Sequence, residues 1–176
     1  MGLNPAVASV ASLFVSRWDV AVGGKVPAEL TNRLGIAIAQ RTYRAYRELL
    51  ASPRWTRLAQ AGARPQRMLW ASTGMKDPDG RDTLYVETLA APDTVDTMPD
   101  KTLLAFAEHG KVGPPMAVDG GDAEQTLAEF TRLGVDLDAL AVRLQKEGGD
   151  AFKKSWSSLL DAIRKKSPQT AGAESR

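Results

Sequence analysis

The chain has 176 residues, with 23 Lys and Arg against 21 Asp and Glu, a net charge too small to predict a nucleic-acid partner. It has no cysteine and one histidine, which excludes disulfides, thiolate zinc sites, cysteine nucleophiles and paired-histidine metal sites. No apolar run approaches the ~20 residues of a membrane span, and the first residues lack the pattern of a signal peptide, so we expect a cytoplasmic protein.

A strand is the first element that the sequence predicts. Residues 7–15 form a short and almost continuously apolar run, which is typical of a strand buried on both faces in a parallel sheet. Alternation along this strand places Val10, Ser12 and Phe14 on one face and the residues between them on the other. A glycine pair at 23–24 then marks a turn into a helical region.

Helices and two further short strands fill the next part of the chain. Apolar spacing and proline positions predict helices from Pro27 to about Leu50, from Pro53 to near Gly62 and from Pro99 to Glu108. The other predicted elements are strands at 67–72 and 94–97, a loop at 73–80 and a helix or turn at 83–90.

The C-terminal third is predicted to be helical. After a Gly/Pro-rich loop that begins at His109, the expected helices span 122–133, 136–147 and 149–166. Asp122 and Gln125 have the spacing of a capping box at the first of these helices. The polar tail at 167–176 is predicted to be disordered.

Strands that alternate with helices predict an α/β fold with a parallel sheet. Three parallel strands leave both outer edges open, and strands that are apolar on all sides need helices on both faces. We therefore expect residues 1–166 to be one portion of a larger α/β fold.

Polar side chains follow the first two strands, where each strand ends. Ligands of parallel sheets and barrels bind at these carboxyl ends. Two hydroxyls, an arginine and a lysine at neighbouring strand ends suit an anion such as phosphate. The residues concerned are Ser12, Phe14, Ser16 and Arg17 after the first strand, and Ser72, Thr73 and Lys76 after the second. The alternative is structural, with Arg17 paired to Asp19 and the serines filling tight corners.

Two other features have a structural interpretation. His109 lies at a predicted helix C-terminus, where it would bond free carbonyls and interact favourably with the helix dipole. A basic stretch from Arg41 to Arg67 with interleaved aromatics could indicate nucleic-acid binding. However, Arg41, Arg44 and Arg47 lie three apart on an amphipathic helix, which favours a solvent-exposed face.

The strand-end residues belong to three blocks that resemble the C-terminal part of bacterial transaldolases. The blocks are VASVASLFVSRWD, GARPQRMLWASTGMKDP and LYVETLAAPDTVDTMPDKTLLAFAEHG. The resemblance spans about residues 2–110 and is greatest to a longer bacterial type that also occurs fused to phosphoglucose isomerase. Asp77 and Asp96 stand where the family pattern usually has asparagine.

The resemblance implies a partial (β/α)₈ barrel whose strands at 7–15, 67–72 and 94–97 correspond to barrel strands six to eight. It also implies a pentose phosphate pathway transferase that uses no metal or cofactor. Such an enzyme moves dihydroxyacetone from a ketose phosphate, such as sedoheptulose 7-phosphate, to glyceraldehyde 3-phosphate. The reaction proceeds through a Schiff base on a lysine of strand four, with carboxylates of strands one and three transferring protons.

Carried over residue by residue, the family pattern covers only part of the active site. Ser12 and Phe14 match positions near the substrate, Arg17 and Ser72 match phosphate ligands, and Lys76 is our candidate for a second basic ligand. The Schiff-base lysine and the acid/base carboxylates have no counterpart. The other lysines fall in predicted loops or helices: Lys25, Lys101, Lys111, Lys146, Lys153, Lys154, Lys165 and Lys166.

Two hypotheses follow from this partial match. In the first, the chain is part of a transaldolase and is inactive unless a second polypeptide supplies the N-terminal half. In the second, it is a non-catalytic, phosphate-binding half-barrel that dimerises through its open strand edges. Both hypotheses predict sugar phosphates as ligands and neither involves nucleic acid or a membrane.

Overall fold

A computed structural model describes residues 4–171, with side chains described through residue 166. The chain divides into two compact units between Val135 and Asp136. The second unit is the helix α7 (Leu137–Ala171). The first unit has the order β1 (Ser9–Phe14), α1 (Val15–Val22), a 3₁₀ turn (Ala28–Leu30), α2 (Leu34–Ala51), α3 (Pro53–Gln60), β2 (Gln66–Ala71), α4 (Leu84–Thr88), β3 (Thr94–Asp96), α5 (Asp100–His109) and α6 (Ala123–Arg132).

The three strands of the described chain form one parallel sheet in the order β1-β2-β3. Phe14 of β1 lies beside Ala71 of β2, and Trp70 lies beside Asp96 of β3, so all three carboxyl ends meet at one edge. This arrangement confirms the predicted α/β class and the parallel sheet.

One face of the sheet carries the core. Trp70 is 1% exposed, and its indole Nε1 donates to the carbonyl of Leu89 at 3.0 Å. Tyr43 of α2 is fully buried in the same cluster, and its hydroxyl donates to the carbonyl of Pro92 at 3.2 Å. Trp70 and Tyr43 therefore find hydrogen-bond partners as well as apolar contacts, whereas the buried hydroxyl of Tyr46 in the same cluster has no partner among the described residues.

The opposite face of the sheet is open. Val10 is 41% exposed, and Ser12 on the same face is exposed. The prediction that the first strand is buried on both faces is therefore wrong for this structure, because the core lies on the Ala11 and Leu13 side alone. The strand is also shorter than predicted, since Val15 already begins α1.

The helices that flank the sheet depart from the predictions at one break. Residues predicted as one helix from Pro27 form a 3₁₀ turn and then α2. Asn32 separates the two with a φ of 61°, a left-handed conformation that asparagine tolerates better than most residues. By contrast, α3 begins at Pro53 as predicted, and the Ser52 hydroxyl caps it by accepting the backbone N–H of Trp55 at 3.2 Å.

The predicted capping box of α6 does not form. Asp122 occupies the N-cap position with φ −88° and ψ 9° and makes no side-chain cap hydrogen bond. An N-cap residue normally adopts an extended conformation that brings its side chain to the first amides. The carboxylate of Asp122 instead accepts a bond from Arg33 at 3.1 Å.

The helix α7 is continuous where two helices were predicted. It runs through the glycine pair at 148–149, and ion pairs lie on both sides of it, Arg143 with Glu147 and Lys153 with Asp150. Each glycine costs about 1 kcal/mol in a helix, which good helix formers around it can offset. The predicted tail is helical through Ala171, and its remainder lies outside the described residues. No helix of the described chain is long and apolar enough to span a membrane.

Candidate functional site

The ends of β1 and β2 are joined by a pair of serines. Because Phe14 and Ala71 are partners in the sheet, the first turn of α1 lies beside Ser72. The backbone N–H of Ser16 donates to the carbonyl of Ser72 at 3.2 Å, and the two hydroxyl oxygens lie 2.8 Å apart. Ser16 is 1% exposed, so this contact fixes the corner between the two strands.

Ser72 itself has an unusual backbone conformation. Its φ is 58°, in the left-handed region that costs a residue with a side chain about 1 kcal/mol or more. The next residue, Thr73, is fully buried, and its hydroxyl lies 2.8 Å from Asp96 and 3.1 Å from the carbonyl of Thr97. Contacts on both sides therefore hold this turn, from α1 and from the end of β3.

Asp96 is the acceptor on the β3 side of this turn. It is half-buried, and burial raises the pKa of its carboxyl above the usual value, while the bond from Thr73 opposes the rise. The carboxylate therefore pays a desolvation cost that an amide at the same position would avoid.

Arg17 projects from the first turn of α1. Its guanidinium carbon lies 4.3 Å from the centroid of the Phe14 ring, within the range of a cation–π contact. Within the described residues it has no carboxylate at salt-bridge distance. The predicted alternative, an ion pair between Arg17 and Asp19, is therefore wrong, and the charge of Arg17 is left available at the carboxyl end of β1.

Asp19 is committed to a different set of contacts. Its carboxylate accepts the backbone N–H groups of Leu34 at 2.9 Å and Gly35 at 3.2 Å, which are the first two residues of α2. It also accepts the hydroxyl of Tyr85 at 2.8 Å. An anion at a helix N-terminus is stabilised by the free N–H groups and the helix dipole, so Asp19 anchors α1 to α2 and α4.

Burial dominates the electrostatics of this anchor. It raises the pKa of the Asp19 carboxyl, and the bonds from Tyr85, Gly35 and Leu34 only partly offset that rise. Burial also raises the pKa of the Tyr85 hydroxyl, and the neighbouring Asp19 carboxylate raises it further. Tyr85 therefore stays protonated and keeps donating to Asp19.

Lys76 lies in the loop after β2 and lines a cavity of about 290 Å³. Ser16, Asp19, Asp77 and Tyr85 line the same cavity, so it extends from Ser16 to the Asp19 anchor. Lys76 is exposed and has no carboxylate partner within the described residues. Asp77, by contrast, accepts a hydrogen bond from the amide of Asn32 at 2.8 Å.

The structure brings two of the five predicted site residues, Phe14 and Arg17, into contact with each other. Arg17 and Phe14 are in contact, Ser72 is joined to α1 through Ser16, and Lys76 lines the cavity that begins at Ser16. Ser12 lies one pleat further back on the open face of the sheet, where its partner in the register is Leu69 of β2.

The residues that were given structural interpretations make contacts within the fold. His109 Nε2 lies 2.9 Å from Asp82, so its partner is a side chain rather than the predicted helix carbonyls. Arg41 and Arg44 both pair with Glu124 of α6 at 2.6 and 3.1 Å. Their face of α2 is therefore ion-paired rather than only solvated.

The lysines of the described chain all lie outside the sheet. None lies on β1, β2 or β3, and all nine are exposed. Amine attack on a ketone requires a neutral lysine, which proteins obtain by desolvation or by a neighbouring cation. Metal binding has no evident site either, since no cluster of three acidic or histidine ligands occurs in the described part of the chain.

Sequence reasoning missed the roles of Ser16 and Asp19. Ser16 was recognised as a strand-end serine, but its contact with Ser72 depends on the register of two strands more than fifty residues apart. Asp19 was assigned to its sequence neighbour Arg17. The glycine at position 35 was the available signal, because its hydrogen allows the close approach of Asp19 to α2.

Comparison with known proteins gives consistent results. The sequence model of the family described as transaldolase/fructose-6-phosphate aldolase matches residues 3–163. A transaldolase of Parafrankia sp. is 51% identical over 90% of this chain and 45% of its own length. Transaldolases of Thiobacillus denitrificans and Saccharopolyspora erythraea are 47% and 43% identical, over 88% and 93% of this chain.

The chain spans about 45% of the length of these curated relatives. The residues matched by the family model include β1, β2 and β3. On this evidence, the chain belongs to the transaldolase/fructose-6-phosphate aldolase family.

Proposed function

We propose that the chain forms the phosphate-binding part of a transaldolase. In this proposal its three strands correspond to strands six to eight of a (β/α)₈ barrel. Family membership and the parallel order β1-β2-β3 support the assignment. The complete enzyme would move a dihydroxyacetone unit from a ketose phosphate, such as sedoheptulose 7-phosphate, to glyceraldehyde 3-phosphate.

The observation that carries this proposal is the set of available anion-binding groups at one edge of the sheet. Arg17 and Lys76 have no carboxylate partner among the described residues, and the Ser72 hydroxyl lies at the same corner as Arg17. Barrel enzymes bind phosphates at the carboxyl ends of late strands. Arginine supplies a forked donor and lysine a mobile point charge for such a group.

The chemistry of the Schiff base would come from elsewhere. All lysines of this chain are exposed, and none is on a strand, so the amine nucleophile and its acid/base carboxylates would belong to the remaining barrel strands. The open face of β1 and the two unpaired strand edges would pack against those strands, because barrel closure leaves no edge exposed.

Reconstitution tests this proposal directly. The folded chain is mixed with a polypeptide that carries the part of the Parafrankia relative outside the matched region, and dihydroxyacetone transfer is measured. We expect activity from the mixture and from neither component alone. Arg17→Ala should raise the KM for the ketose phosphate at least tenfold, whereas Lys101→Ala, which removes an exposed charge on α5, should leave it unchanged.

A folded mixture that forms a complex but transfers nothing would reject the enzymatic role. It would favour the second candidate function, a non-catalytic phosphate-binding half-barrel. That candidate is supported by the open edges of β1 and β3 and by the 41% exposure of Val10, since a second copy could cover them. Sedimentation of the chain alone distinguishes the two, because only the second candidate requires a self-dimer.

A further inference from the structure

We propose that Ser16 is a positioning residue that orients the hydroxyl of Ser72 toward an anionic ligand. This inference rests on the proposed function, since it assumes that a phosphate group binds at the corner between β1 and β2. It adds a residue that does not itself touch the ligand. Ser16 would act only through Ser72.

The Ser16 hydroxyl is buried and needs a hydrogen-bond partner. Ser16 is 1% exposed, and a buried hydroxyl without a partner costs about 1–3 kcal/mol. Its oxygen lies 2.8 Å from the Ser72 oxygen, which is the ordinary length of a hydroxyl–hydroxyl bond. The Ser72 oxygen is therefore in position to accept the proton of the Ser16 hydroxyl.

The bond between the two hydroxyls can run in either direction. Each hydroxyl has its own proton, and only one of the two protons lies between the oxygens. Ser72 is half-buried, whereas Ser16 is only 1% exposed although it lines the cavity that holds Lys76, so Ser72 is the more accessible of the two side chains. When Ser16 donates to Ser72, the Ser72 proton is free to point away and donate to an anion.

Hydrogen bonds hold the turn at Ser72 and at the residue that follows it. The carbonyl of Ser72 accepts the N–H of Ser16 at 3.2 Å, and the following Thr73 is held by Asp96 at 2.8 Å. These contacts stabilise the left-handed backbone conformation of Ser72, whose φ is 58°. With the backbone fixed, the side-chain rotation of Ser72 is the freedom that remains, and Ser16 removes it.

Arg17 and Lys76 would provide charge to the same site without this directional preference. Ammonium and guanidinium groups attract an anion from many positions, while a hydroxyl contributes only when its proton faces the ligand. Ser16 therefore sets how well one neutral donor complements the two cations.

The test is a titration of the full chain with inorganic phosphate, followed by backbone amide NMR. We expect shifts at Arg17, Ser72 and Lys76. Ser16→Ala should weaken phosphate binding about tenfold or more, as expected when a hydrogen bond to a charged group is lost or misdirected. Ser9→Ala, at the amino end of β1 and so at the opposite end of that strand from α1, is the matched control and should bind like wild type.

A double-mutant cycle separates positioning from a general structural role. If Ser16 acts through Ser72, Ser16→Ala should have no further effect on phosphate affinity in a Ser72→Ala background. An equal loss in both backgrounds would overturn the inference. Should Ser16→Ala fail to fold, Ser16→Cys retains a weak donor of similar size and should show a smaller loss, and wild-type affinity in that variant would also overturn it.

The same titration distinguishes failure of the inference from failure of the proposed function. Wild-type chain that shows no shifts with phosphate would reject the phosphate site itself. Wild-type chain that binds phosphate, with Ser16→Ala binding equally well, would leave the site intact and reject only the role of Ser16.

Discussion

Replacing Gly35 by alanine tests whether α1 is held against α2 as tightly as the Asp19 anchor implies. An added Cβ would lie 2.5 Å from the carbonyl oxygen of Val15 and 2.6 Å from Oδ2 of Asp19. Ordinary contact begins at 3.4 Å, so the two helices would have to separate by roughly 0.9 Å, a typical overpacking strain.

The expected loss of stability combines three effects. Overpacking costs about 1–3 kcal/mol, and each strained or lost hydrogen bond to the Asp19 carboxylate adds about 1.5 kcal/mol or more. Alanine's better helix propensity offsets about 1 kcal/mol. Gly35→Ala should therefore lower the free energy of unfolding by about 2–4 kcal/mol.

Urea denaturation followed by circular dichroism measures this change. The matched control is Gly149→Ala in α7, where an added Cβ meets nothing within 4 Å, so alanine should stabilise the helix by about 0.5–1 kcal/mol. The same substitution thus has opposite signs at two helical glycines. A Gly35→Ala chain as stable as wild type would refute the close packing inferred at the Asp19 anchor.

Three further changes have defined outcomes. Burial raises the pKa of the Asp96 carboxyl above its ordinary value of 3.8, so the stability that this residue contributes is present below that pH and is lost as the pH rises through the folded-state pKa. Asp96→Asn keeps an oxygen that accepts from Thr73 and carries no charge. In urea titrations its free energy of unfolding should exceed that of wild type by about 0.5–1 kcal/mol at pH 7 and differ little from it at pH 4. Glu124→Gln should cost less than about 1 kcal/mol in thermal melts because its bonds to Arg41 are exposed, and a difference that persists in 1 M salt would contradict this. Trp70→Phe should lower the free energy of unfolding by about 1–3 kcal/mol, since a buried carbonyl loses its donor; an unchanged denaturation midpoint would argue against that bond.

Local patterns allowed most elements of the first unit to be predicted. The apolar runs of the three strands and the Ser52-Pro53 start of α3 are signals carried by adjacent residues. The break at Asn32 and the continuity of α7 through its glycine pair were missed. In both cases the helix propensities of the residues differ by only about 1 kcal/mol. Contacts with other parts of the structure then decide whether the helix continues, and the sequence pattern does not show those contacts.

The candidate site was predicted as residue types but not as contacts. The strand-end pattern pointed to Arg17, Ser72 and Lys76, and the resemblance to transaldolases matched the first two of them. The roles of these residues in phosphate binding stay predictions. Asp19 was assigned to the wrong partner, because its true partners lie across the fold on α2 and α4. Sequence spacing pointed to the nearest opposite charge, Arg17, as the partner of Asp19. Because the Asp19 carboxylate is buried, it needs several hydrogen-bond donors instead, and Leu34, Gly35 and Tyr85 provide them.

The open sheet face shows a different limit of sequence reasoning. An apolar strand predicts that something covers both faces, and in the described chain Val10 is 41% exposed and Ser12 is exposed. The apolar sequence of β1 is therefore typical of a strand that is covered on both faces. That environment is the one the proposed barrel would provide.

The most direct test of the central claim is borohydride trapping with fructose 6-phosphate, followed by intact-mass analysis of the folded chain. Borohydride reduces a Schiff base to a stable adduct on the lysine that formed it. Because all nine lysines are exposed and none lies on a strand, we predict no adduct from the chain alone. A dihydroxyacetone-sized adduct on one lysine, Lys76 above all, would show that the chain carries its own nucleophile and contradict the account.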